Sequence, residues 1–411
     1  MRVCLFTETF HPVIGGGETQ ARLLAEGLTA GGVPTFVLTR RSDAALPSSE
    51  RVGTLPVVRL RPTGSGQLKK WGLVLSGVPE LVRRRRDYDV LLLCGFRIIG
   101  LSAVLVAKAL GKRVVLKADS QGEMSGAFFT AGLARFGVKP SSFAFRTFLR
   151  LRNAILRRGD AFVAITEAVA EELRAAAVSE EEIHRIPNAV DTERFSPAGA
   201  DEKRALRHRL GLPQDGAIVT YTGRLVTYKG LPLLVDVWSR LRARFPDALL
   251  LLVGTGGLDI HACENELRST VRERGMEGSV RFTGGVENVE DYLKASDAFA
   301  FPTENDAFPS SVIEAMTTRL PVITTPVGAI PEIVTDGVNG LLVPAGDGPA
   351  LETALARVLA DPALADALGS AAWSTVQERY SAGGVTARYL ELLETVCGPE
   401  NGPGPPDPGA P

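Results

Sequence analysis

The sequence predicts an α/β protein of two domains, each built on a parallel β-sheet. Its length of 411 residues suits about two domains of ordinary size. Short apolar runs alternate with amphipathic stretches, which is the pattern of repeated β–α units. The alternation begins at the N-terminus and begins again after the segment Ile186–Asp191. We therefore expect two similar halves whose open sheets face each other across a cleft.

The first half contains six apolar runs of strand length. These predicted strands are Val3–Thr7, Thr35–Thr39, Val57–Leu60, Val90–Cys94, Val114–Lys117 and Ala161–Ile165. Helical patterns lie between most of them, for example Glu18–Ala30, Gly100–Leu110 and Glu167–Ala177. Together they predict a Rossmann-like domain over residues 1–190.

The second half repeats this pattern after a segment rich in turn formers. Its predicted strands are Ile218–Thr222, Leu249–Val253, Val280–Phe282, Ala298–Phe301 and Val322–Thr324. The turn formers lie between Pro187 and Pro197, so this segment is the predicted linker. The second domain is expected to cover residues 191–375.

The C-terminal end differs from both halves. Residues from Asp361 to about Val396 have a helical pattern throughout. From Cys397 onward the chain is rich in Gly and Pro and has too few apolar residues for a core. Residues 397–411 are therefore predicted to form a disordered tail.

The composition is that of a soluble protein without a metal or disulfide framework. Hydrophobic residues make up 45% and charged residues 23% of the chain, and no apolar run approaches the roughly 20 residues of a membrane span. Glu8 comes too early for a secretory signal. The four cysteines and four histidines have no metal-ligand spacing. We expect a cytoplasmic protein.

The charge is unevenly distributed between the halves. Residues 1–190 hold 27 Lys+Arg and 17 Asp+Glu, whereas the remainder holds 19 and 30. Much of the basic excess comes from Arg83–Arg86 and from the stretch Arg146–Arg158, which also holds aromatic and aliphatic residues. The stretch either forms an amphipathic helix on an anionic membrane, or it packs its apolar side on the sheet and leaves its arginines in solvent. Nucleic-acid binding is disfavoured because stacking aromatics are confined to Phe143–Phe148.

A glycine-rich loop follows the first predicted strand. Gly15, Gly16 and Gly17 precede a helix that begins near Glu18. Glycines let a phosphate approach backbone amides closely, and a helix N-terminus favours negative charge. The same pattern is also that of a simple tight turn. The glycine spacing differs from G-x-G-x-x-G, which argues against a nicotinamide site.

A second loop, after the strand Ile218–Thr222, carries two cations. It runs from Gly223 and Arg224 to Lys229. Ligands of open α/β sheets bind at the carboxyl ends of the strands. Arg224 and Lys229 are suited to grip a diphosphate and to stabilise the charge that develops on it as a bond to a sugar breaks. Alternatively, both are solvated surface side chains.

The segment after Phe301 leaves a strand and enters a helix near Ser310. Asp306 lies in its loop and Glu314 in its helix, and both carboxylates suit sugar hydroxyls. Ser or Thr hydroxyls are expected to cap the helix, and its first amides are suited to phosphate. The predicted donor-binding residues here are Asp306, Phe308, Pro309, Ser310, Ser311, Val312 and Glu314. Residue type alone also permits two ordinary surface acids.

These motifs resemble those of the family 4 glycosyltransferases, retaining enzymes of the GT-B fold. The stretch from Asp306 to Glu314 is similar to the family's acid-x7-Glu signature. Gly223–Gly230 resembles its diphosphate-binding Arg/Lys pair, Ile186–Asp191 its linker, and Gly15–Gly16 its N-terminal glycine loop. The resemblance covers roughly residues 1–395.

The resemblance implies a role for each matched residue. Arg224 and Lys229 would neutralise the diphosphate of the donor, so that no metal or other cofactor is required. Glu314 would hold the nucleotide ribose and Asp306 the hydroxyls of the donor sugar. Gly15 and Gly16 would bring amides to the donor phosphate or sugar. The last helix, about residues 376–396, would cross back onto the first domain.

The sequence departs from the family pattern at three places. Asp306 stands where the family usually has Glu, and Ala189 where the linker commonly has Gly. Many members have a His near the reacting sugar, whereas this chain has the stretch Lys117–Glu123. We expect Lys117 and Asp119 to border the acceptor or the sugar, although both are also compatible with a solvent-facing strand end.

The implied activity is transfer of a hexosyl-type group from a nucleotide diphosphate-sugar to a glycan, lipid-linked or small-molecule acceptor. The resemblance implies retention of configuration, with the leaving diphosphate taking the acceptor proton. Two alternatives remain: a nucleotide-sugar epimerase or phosphorylase of the same fold, and a non-catalytic subunit that binds sugar nucleotides. The basic N-terminal half adds possible peripheral contact with the inner face of the cell membrane.

Overall fold

The computed structural model describes residues 1–13, 15–64, 67–127, 129, 142–257 and 259–398. By internal contacts the chain forms two compact units. Unit 1 comprises Met1–Pro187 together with the residues from Gly383 onward, and unit 2 comprises Asn188–Ala382. The predicted division at residue 190 lies three residues from this boundary.

Unit 1 is built on a mostly parallel sheet, which has eight strands among the described residues. In chain order the strands are β1 (Val3–Thr7), β2 (Thr35–Arg40), β3 (Ser49–Val52), β4 (Leu55–Leu60), β5 (Val90–Cys94), β6 (Arg113–Lys117), β7 (Ala161–Ala164) and β8 (Ile183–Arg185). Their order across the sheet is β3-β4-β2-β1-β5-β6-β7-β8, and only the β3–β4 pair is antiparallel. The helices that connect them are α1 (Gly16–Ala30), α2 (Gln67–Arg83), α3 (Gly100–Ala109), α4 (Phe143–Leu156) and α5 (Glu167–Ala175).

Unit 2 is built on a six-stranded sheet in which every pair is parallel. Its strands are β9 (Ile218–Thr222), β10 (Leu249–Val253), β11 (Val280–Gly284), β12 (Ala298–Phe301), β13 (Val322–Thr324) and β14 (Leu341–Leu342), in the order β11-β10-β9-β12-β13-β14. Its helices are α6 (Ala200–Arg209), α7 (Leu231–Leu241), α8 (Glu264–Glu273), α9 (Val289–Lys294), α10 (Ser310–Thr317), α11 (Ile330–Ile333), α12 (Gly348–Ala360) and α13 (Pro362–Arg379). The chain then returns to unit 1 in α14 (Ala382–Cys397).

The central strands are buried along their whole length, which explains why the sequence predicted them well. Every residue of β1, β5, β9 and β10 is buried. A parallel strand that is covered by helices on both faces needs apolar residues at every position, so it forms a continuous apolar run. All eleven predicted strands are present, six of them with the predicted bounds.

Three strands were missed because they lie at the edges of the sheets. The strand β3 alternates exposed and half-buried residues and contains charged side chains. The strand β8 has three residues, none of them buried, and β14 has only two residues. An edge strand packs against one neighbour only and therefore requires no apolar run.

The strand order places the same kind of crevice in each unit. In unit 1, β1 lies between β2 and β5, so the chain direction across the sheet reverses there. In unit 2, β9 lies between β10 and β12 and has the same position. The loops after such strands open outward at the carboxyl edge, where open α/β sheets bind ligands.

The prediction of one continuous helix from Asp361 to Val396 was wrong. The helix breaks at Tyr380, because this residue is buried in unit 2 and its hydroxyl donates to the Glu332 carbonyl at 3.1 Å. The backbone then pairs with Val190, which donates to the Tyr380 carbonyl at 2.8 Å. Residues 376–382 consequently belong to unit 2, and the part that packs on unit 1 begins at Gly383.

The helix α14 contacts α1 where glycines allow a close approach. A Cβ atom on Gly31 would lie 2.9 Å from Leu390. Cys397 is the last residue of α14 and is therefore not part of the predicted tail, and residues 399–411 lie outside the described residues. In the described part of the chain, no helix has the length and apolar character that a membrane crossing requires.

Candidate functional site

The predicted residues fall into two groups, one at the carboxyl edge of each sheet. The unit 2 group follows the neighbouring strands β9 and β12. It contains Arg224 and Lys229 after β9, and Asp306 and Glu314 after β12. Residues 80 positions apart are brought together because these two strands pair directly.

Lys229 is the centre of the unit 2 group. It ends a short 3-10 helix, Thr227–Lys229, and only 8% of the residue is exposed. Its Nζ lies 2.6 Å from Oδ2 of Asp306 and donates to the Asn305 carbonyl at 2.9 Å. The prediction that Lys229 and Asp306 share one site agrees with this geometry. In the protein without ligand, each neutralises the other.

A glycine lets the Lys229 turn pack tightly against the loop after β12. Gly230 has a φ of 70°, in the left-handed region that favours glycine. A Cβ atom there would overlap the carbonyl oxygen of Pro302. The turn therefore approaches the β12 loop closely enough for Lys229 to reach Asn305 and Asp306.

Arg224 lies on the same loop but is open to solvent. Its side chain is 61% exposed, Nη1 lies 2.5 Å from Oδ2 of Asp259, and Nη2 donates to the Tyr228 hydroxyl at 2.8 Å. These two partners hold the guanidinium in one orientation. The sequence contained no signal for Asp259, because it is distant along the chain and belongs to no motif that we identified.

The helix α10 presents its N-terminus beside this group. Its N-cap is Pro309, which provides no side-chain cap hydrogen bond, so the expected capping by Ser or Thr is wrong. Ser310, Ser311 and Val312 form the first turn, and Phe308 packs against the unit 2 core with its ring 6.2 Å from that of Tyr380. Because the cap residue leaves the first amides unbonded by a side chain, an anion is a suitable partner for them.

Glu314 differs from Asp306 in its surroundings. It lies on α10, where burial raises the pKa of its carboxyl to about 7; the nearby Arg194 guanidinium opposes this shift and Glu290 adds to it. Arg194 is itself held by Glu290 at 2.7 Å. Glu314 is therefore an acid that changes charge near neutral pH.

A cavity of about 740 Å³ adjoins the loop that carries Arg224 and Lys229. Its lining includes Thr227, Tyr228, His261, Glu304 and Asn305. The ring of His261 contacts that of Tyr228 edge-on, with 5.6 Å between centroids. His261 therefore lies beside the loop that carries Arg224 and Lys229.

The unit 1 group lies at the ends of β1, β5 and β6. Gly15 is the N-cap of α1, and Gly16 and Gly17 are its first residues. A Cβ atom on Gly17 would lie 3.8 Å from Oδ2 of Asp119, so the glycine loop and Asp119 are neighbours. Lys117 is 2% exposed and forms an ion pair with Asp119. This burial excludes the alternative that Lys117 is a solvent-facing residue at the end of a strand.

The helix α4 packs some apolar side chains on the protein and exposes others. Phe145 and Leu156 are buried, as expected if its apolar side packs on the protein. Phe143 and Leu151 are 83% and 64% exposed. Arg152, expected on the surface, is 1% exposed and donates to backbone carbonyls, so it belongs to the interior of the unit.

The two-sheet architecture is that of known glycosyltransferases. Sucrose-phosphate synthase from Thermosynechococcus elongatus matches 96% of this chain and 99% of its own with a TM-score of 0.77 and 23% identity. The Anabaena protein HepE, solved in complex with UDP-glucose, matches 96% of this chain and all of its own with a TM-score of 0.74 and 19% identity. Such likeness shows the fold, which is the GT-B fold with two Rossmann-like domains.

Family models match both units. The model described as Glycosyltransferase Family 4 matches residues 14–194, and that described as Glycosyl transferases group 1 matches residues 202–374. Between them the two matches cover most of the chain. The chain belongs to the family 4 glycosyltransferases.

Curated relatives carry names from the same family. The D-inositol 3-phosphate glycosyltransferase of Xylanimonas cellulosilytica is 32% identical over 213 residues, which are 50% of each chain. A GDP-mannose-dependent phosphatidylinositol monomannoside mannosyltransferase of Mycolicibacterium smegmatis is 33% identical over 222 residues, 51% of this chain and 56% of its own. The chain spans about half the length of the curated relatives it matches.

Proposed function

We propose that this protein transfers a hexosyl-type group from a nucleotide diphosphate-sugar to a carbohydrate, lipid-linked or small-molecule acceptor, with retention of configuration. The observation that carries the proposal is the unit 2 group, in which a nearly buried lysine, an oriented arginine and an uncapped helix N-terminus converge on one strand edge. This set of donors and charges fits a diphosphate. The names of the relatives, two of which specify GDP-mannose, support a nucleotide-sugar donor.

The donor diphosphate binds by replacing Asp306 as the partner of Lys229. A diphosphate is a stronger partner for Lys229 than one carboxylate, because it carries more charge and more acceptor oxygens. When it binds, Asp306 is released from Lys229 and accepts hydrogen bonds from the sugar hydroxyls. Glu314 accepts hydrogen bonds from the ribose in the same complex.

The chemistry then needs few protein groups. The bond between the anomeric carbon and the diphosphate oxygen breaks, and the electron pair leaves with the diphosphate. The acceptor hydroxyl forms the new bond on the same face, and its proton passes to the departing diphosphate oxygen. Arg224 and Lys229 stabilise the charge of the leaving group, so the proposed step needs no metal ion.

A turnover assay with nucleotide-sugars tests the proposal. Purified protein is screened against a panel of nucleotide-sugars by thermal shift, since a ligand of the folded state raises the melting temperature. Release of nucleoside diphosphate is then measured with candidate acceptors. We expect Arg224→Ala to lower kcat about 100- to 1000-fold, the usual effect of removing one oriented charge-stabilising group.

The control is Arg204→Ala, which removes an exposed arginine of α6 paired only with Asp201. It should retain the full rate. Retention of the full rate by Arg224→Ala, or absence of binding to every nucleotide-sugar, would contradict the proposal. A strict requirement for inorganic phosphate as co-substrate would instead identify a phosphorylase, and binding without turnover a non-catalytic subunit.

We further propose that unit 1 docks on the cytoplasmic face of an anionic membrane through α4. Phe143 and Leu151 expose apolar surface, and Arg146 and Arg150 are exposed on the same helix. Apolar side chains that insert and arginines that meet acidic headgroups are the two components of interfacial binding. A lipid-linked acceptor would be reached from this position.

Sedimentation with liposomes tests this docking. Phe143→Glu should lower the fraction bound to vesicles rich in acidic lipid, on the order of tenfold, because it removes the insertion of a largely exposed ring and adds repulsion. Ile260→Glu, an exposed apolar residue of unit 2, is the matched control. If the fraction of bound protein does not depend on acidic lipid, or is the same in Phe143→Glu as in wild type, the proposed docking is contradicted.

A further inference from the structure

The loop that follows β6, Ala118–Ser125, is fixed by two carboxylates that no motif identified. The Asp119 amide donates to Oε1 of Glu123 at 3.0 Å. Glu172, on α5, accepts from the amides of Gly122, Met124 and Ser125 at 2.5–2.7 Å. Four amides of one loop thus donate to two acids, whereas most exposed loops leave their amides to water.

The carbonyl side of the loop is held from α4. The guanidinium of Arg152 donates to the Glu123 carbonyl at 2.6 Å and to the Arg97 carbonyl at 3.0–3.1 Å. Asn153 donates to the Met124 carbonyl at 2.9 Å. Burying an arginine is costly unless its donors are satisfied. The donors of Arg152 are satisfied only while the loop keeps this conformation, so the buried arginine favours this conformation over others.

The group that this loop presents is the carboxylate of Asp119. Lys117 binds its Oδ1, and Oδ2 faces Gly17 and Gly95. A Cβ atom on Gly95 would lie only 2.9 Å from Oδ2, and one on Gly17 at 3.8 Å. The two glycines thus leave space at the very oxygen that has no lysine partner.

Glu123 has one carboxylate oxygen to spare. The residue is 1% exposed, and its Oε2 is buried with no hydrogen-bond partner among the described residues. Burial, with a smaller contribution from Asp119, raises the pKa of Glu123 to about 7, and Arg97 and Lys117 oppose the shift. The other charged groups around it are Arg152 on α4 and Glu172 on α5.

We propose that Glu123 is a positioning residue for sugar transfer, which fixes the backbone of Asp119 so that its free carboxylate oxygen can accept a hydrogen bond from a substrate hydroxyl. This inference rests on the proposed transferase function. Glu123 does not itself touch substrate, because it is buried. Its contribution is the fixed direction of Asp119, and displacement of a substrate-binding group by about 1 Å can cost up to 100-fold in rate.

Two substitutions separate positioning from a general role in folding. Glu123→Ala removes the acceptor for the Asp119 amide, and Glu123→Gln retains an acceptor oxygen without the charge. We expect Glu123→Ala to lower kcat about 10- to 100-fold with little change in the KM for the donor, and Glu123→Gln to restore most of it. Glu171→Ala, an exposed neighbour of Glu172 on α5, is the control and should behave as wild type.

A double-mutant cycle gives the sharper readout. If Glu123 acts through Asp119, the double variant Glu123→Ala/Asp119→Asn should be no slower than Asp119→Asn alone. If the fold-losses in kcat of the two single variants multiply in the double variant, the two residues act independently and the proposal is overturned.

Amide exchange tests the positioning without relying on activity. Exchange at Asp119 should be faster in Glu123→Ala than in wild type, and close to wild type in Glu123→Gln, while the rest of unit 1 remains protected. Faster exchange throughout unit 1 would show a merely structural role and overturn the inference. If wild type transfers no sugar but this exchange pattern holds, the proposed function fails and the positioning of Asp119 stands.

Discussion

Each unit places a lysine–aspartate pair at the carboxyl edge of its sheet, but the two pairs are built differently. Lys117 and Asp119 come from one strand and its loop, two residues apart. Lys229 and Asp306 come from the loops of two paired strands, 77 residues apart. The lysine side chains are 3% and 10% exposed, respectively.

This difference indicates different tasks. In unit 1, the loop of Asp119 is held by Glu123, Glu172 and Arg152, so the pair is a fixed element. In unit 2, Lys229 retains a backbone acceptor, the Asn305 carbonyl, when Asp306 is drawn away. The unit 2 pair can therefore exchange one partner for a ligand, whereas the unit 1 pair is suited to present a carboxylate.

The largest expected effect comes from Lys229. Lys229→Met should lower kcat about 100- to 1000-fold, because it removes one of the two cations that we propose stabilise the developing charge on the diphosphate. Lys203→Met is the control, since Lys203 pairs with Asp297 at the opposite edge of the same sheet. Rates of nucleoside diphosphate release measure the effect. Equal rates in the two variants would show that the unit 2 pair does not meet the diphosphate.

Lys117 should instead affect stability. Burial alone would lower the pKa of Lys117, but Asp119 outweighs it and holds this pKa above its usual value. Lys117→Met leaves the Asp119 carboxylate without its partner, and breaking a buried pair in this way typically costs about 3–5 kcal/mol. Lys108→Met is the control, because the Lys108 side chain is 29% exposed against 3% for Lys117 and Asp160 keeps its salt bridge with Arg113, so we expect a loss of about 0–1 kcal/mol.

Denaturant unfolding measures this difference. A free energy of unfolding that is no lower in Lys117→Met than in Lys108→Met would show that the unit 1 pair is not the fixed element inferred here. If Lys117→Met loses transfer activity but not stability, Lys117 acts in the reaction, as we propose for Lys229, and not in holding the fold.

The smallest effect is the pH dependence of donor binding through Glu314. With a pKa of about 7 in the free protein, Glu314 is largely protonated below that pH and ionised above it. Ribose hydroxyls donate to the ionised form, so binding releases a proton. Affinity should therefore rise with pH up to about 7 and then level off, changing by at most about tenfold per pH unit below it.

Calorimetric titration with an intact nucleotide-sugar measures this profile, because its diphosphate does not titrate in the same range. Glu314→Gln should flatten the profile, whereas Glu123→Gln in unit 1 should leave donor binding unchanged. An identical rise in Glu314→Gln would assign the ionisation to another group.

Much of the candidate site could be predicted because its motifs are local. The spacing from Asp306 to Glu314 and the loop from Gly223 to Gly230 are read along the chain, and in the structure Lys229 and Asp306 are direct neighbours. Glu123 and Asp259 could not be found in this way. Their partners, the Asp119 amide and the Arg224 guanidinium, become neighbours only through the fold.

Arg152 is a residue for which the sequence predicted the wrong environment. Its position in a basic amphipathic stretch predicted a solvated side chain, yet it lies in the interior and donates to carbonyls of two different loops. Sequence periodicity assigns an arginine to the polar face of a helix. Whether backbone carbonyls are close enough to accept hydrogen bonds from Arg152 depends on chain segments more than 25 residues away.

The sequence by itself determined the two parallel sheets, because strands buried on both faces must be apolar at every position. It also determined the cations and acids of the unit 2 loops, since they lie within short motifs. The tertiary structure decided which charges neutralise one another, which acids have a raised pKa and where the last helix breaks. These properties depend on burial and on distances between remote segments, which residue order does not specify.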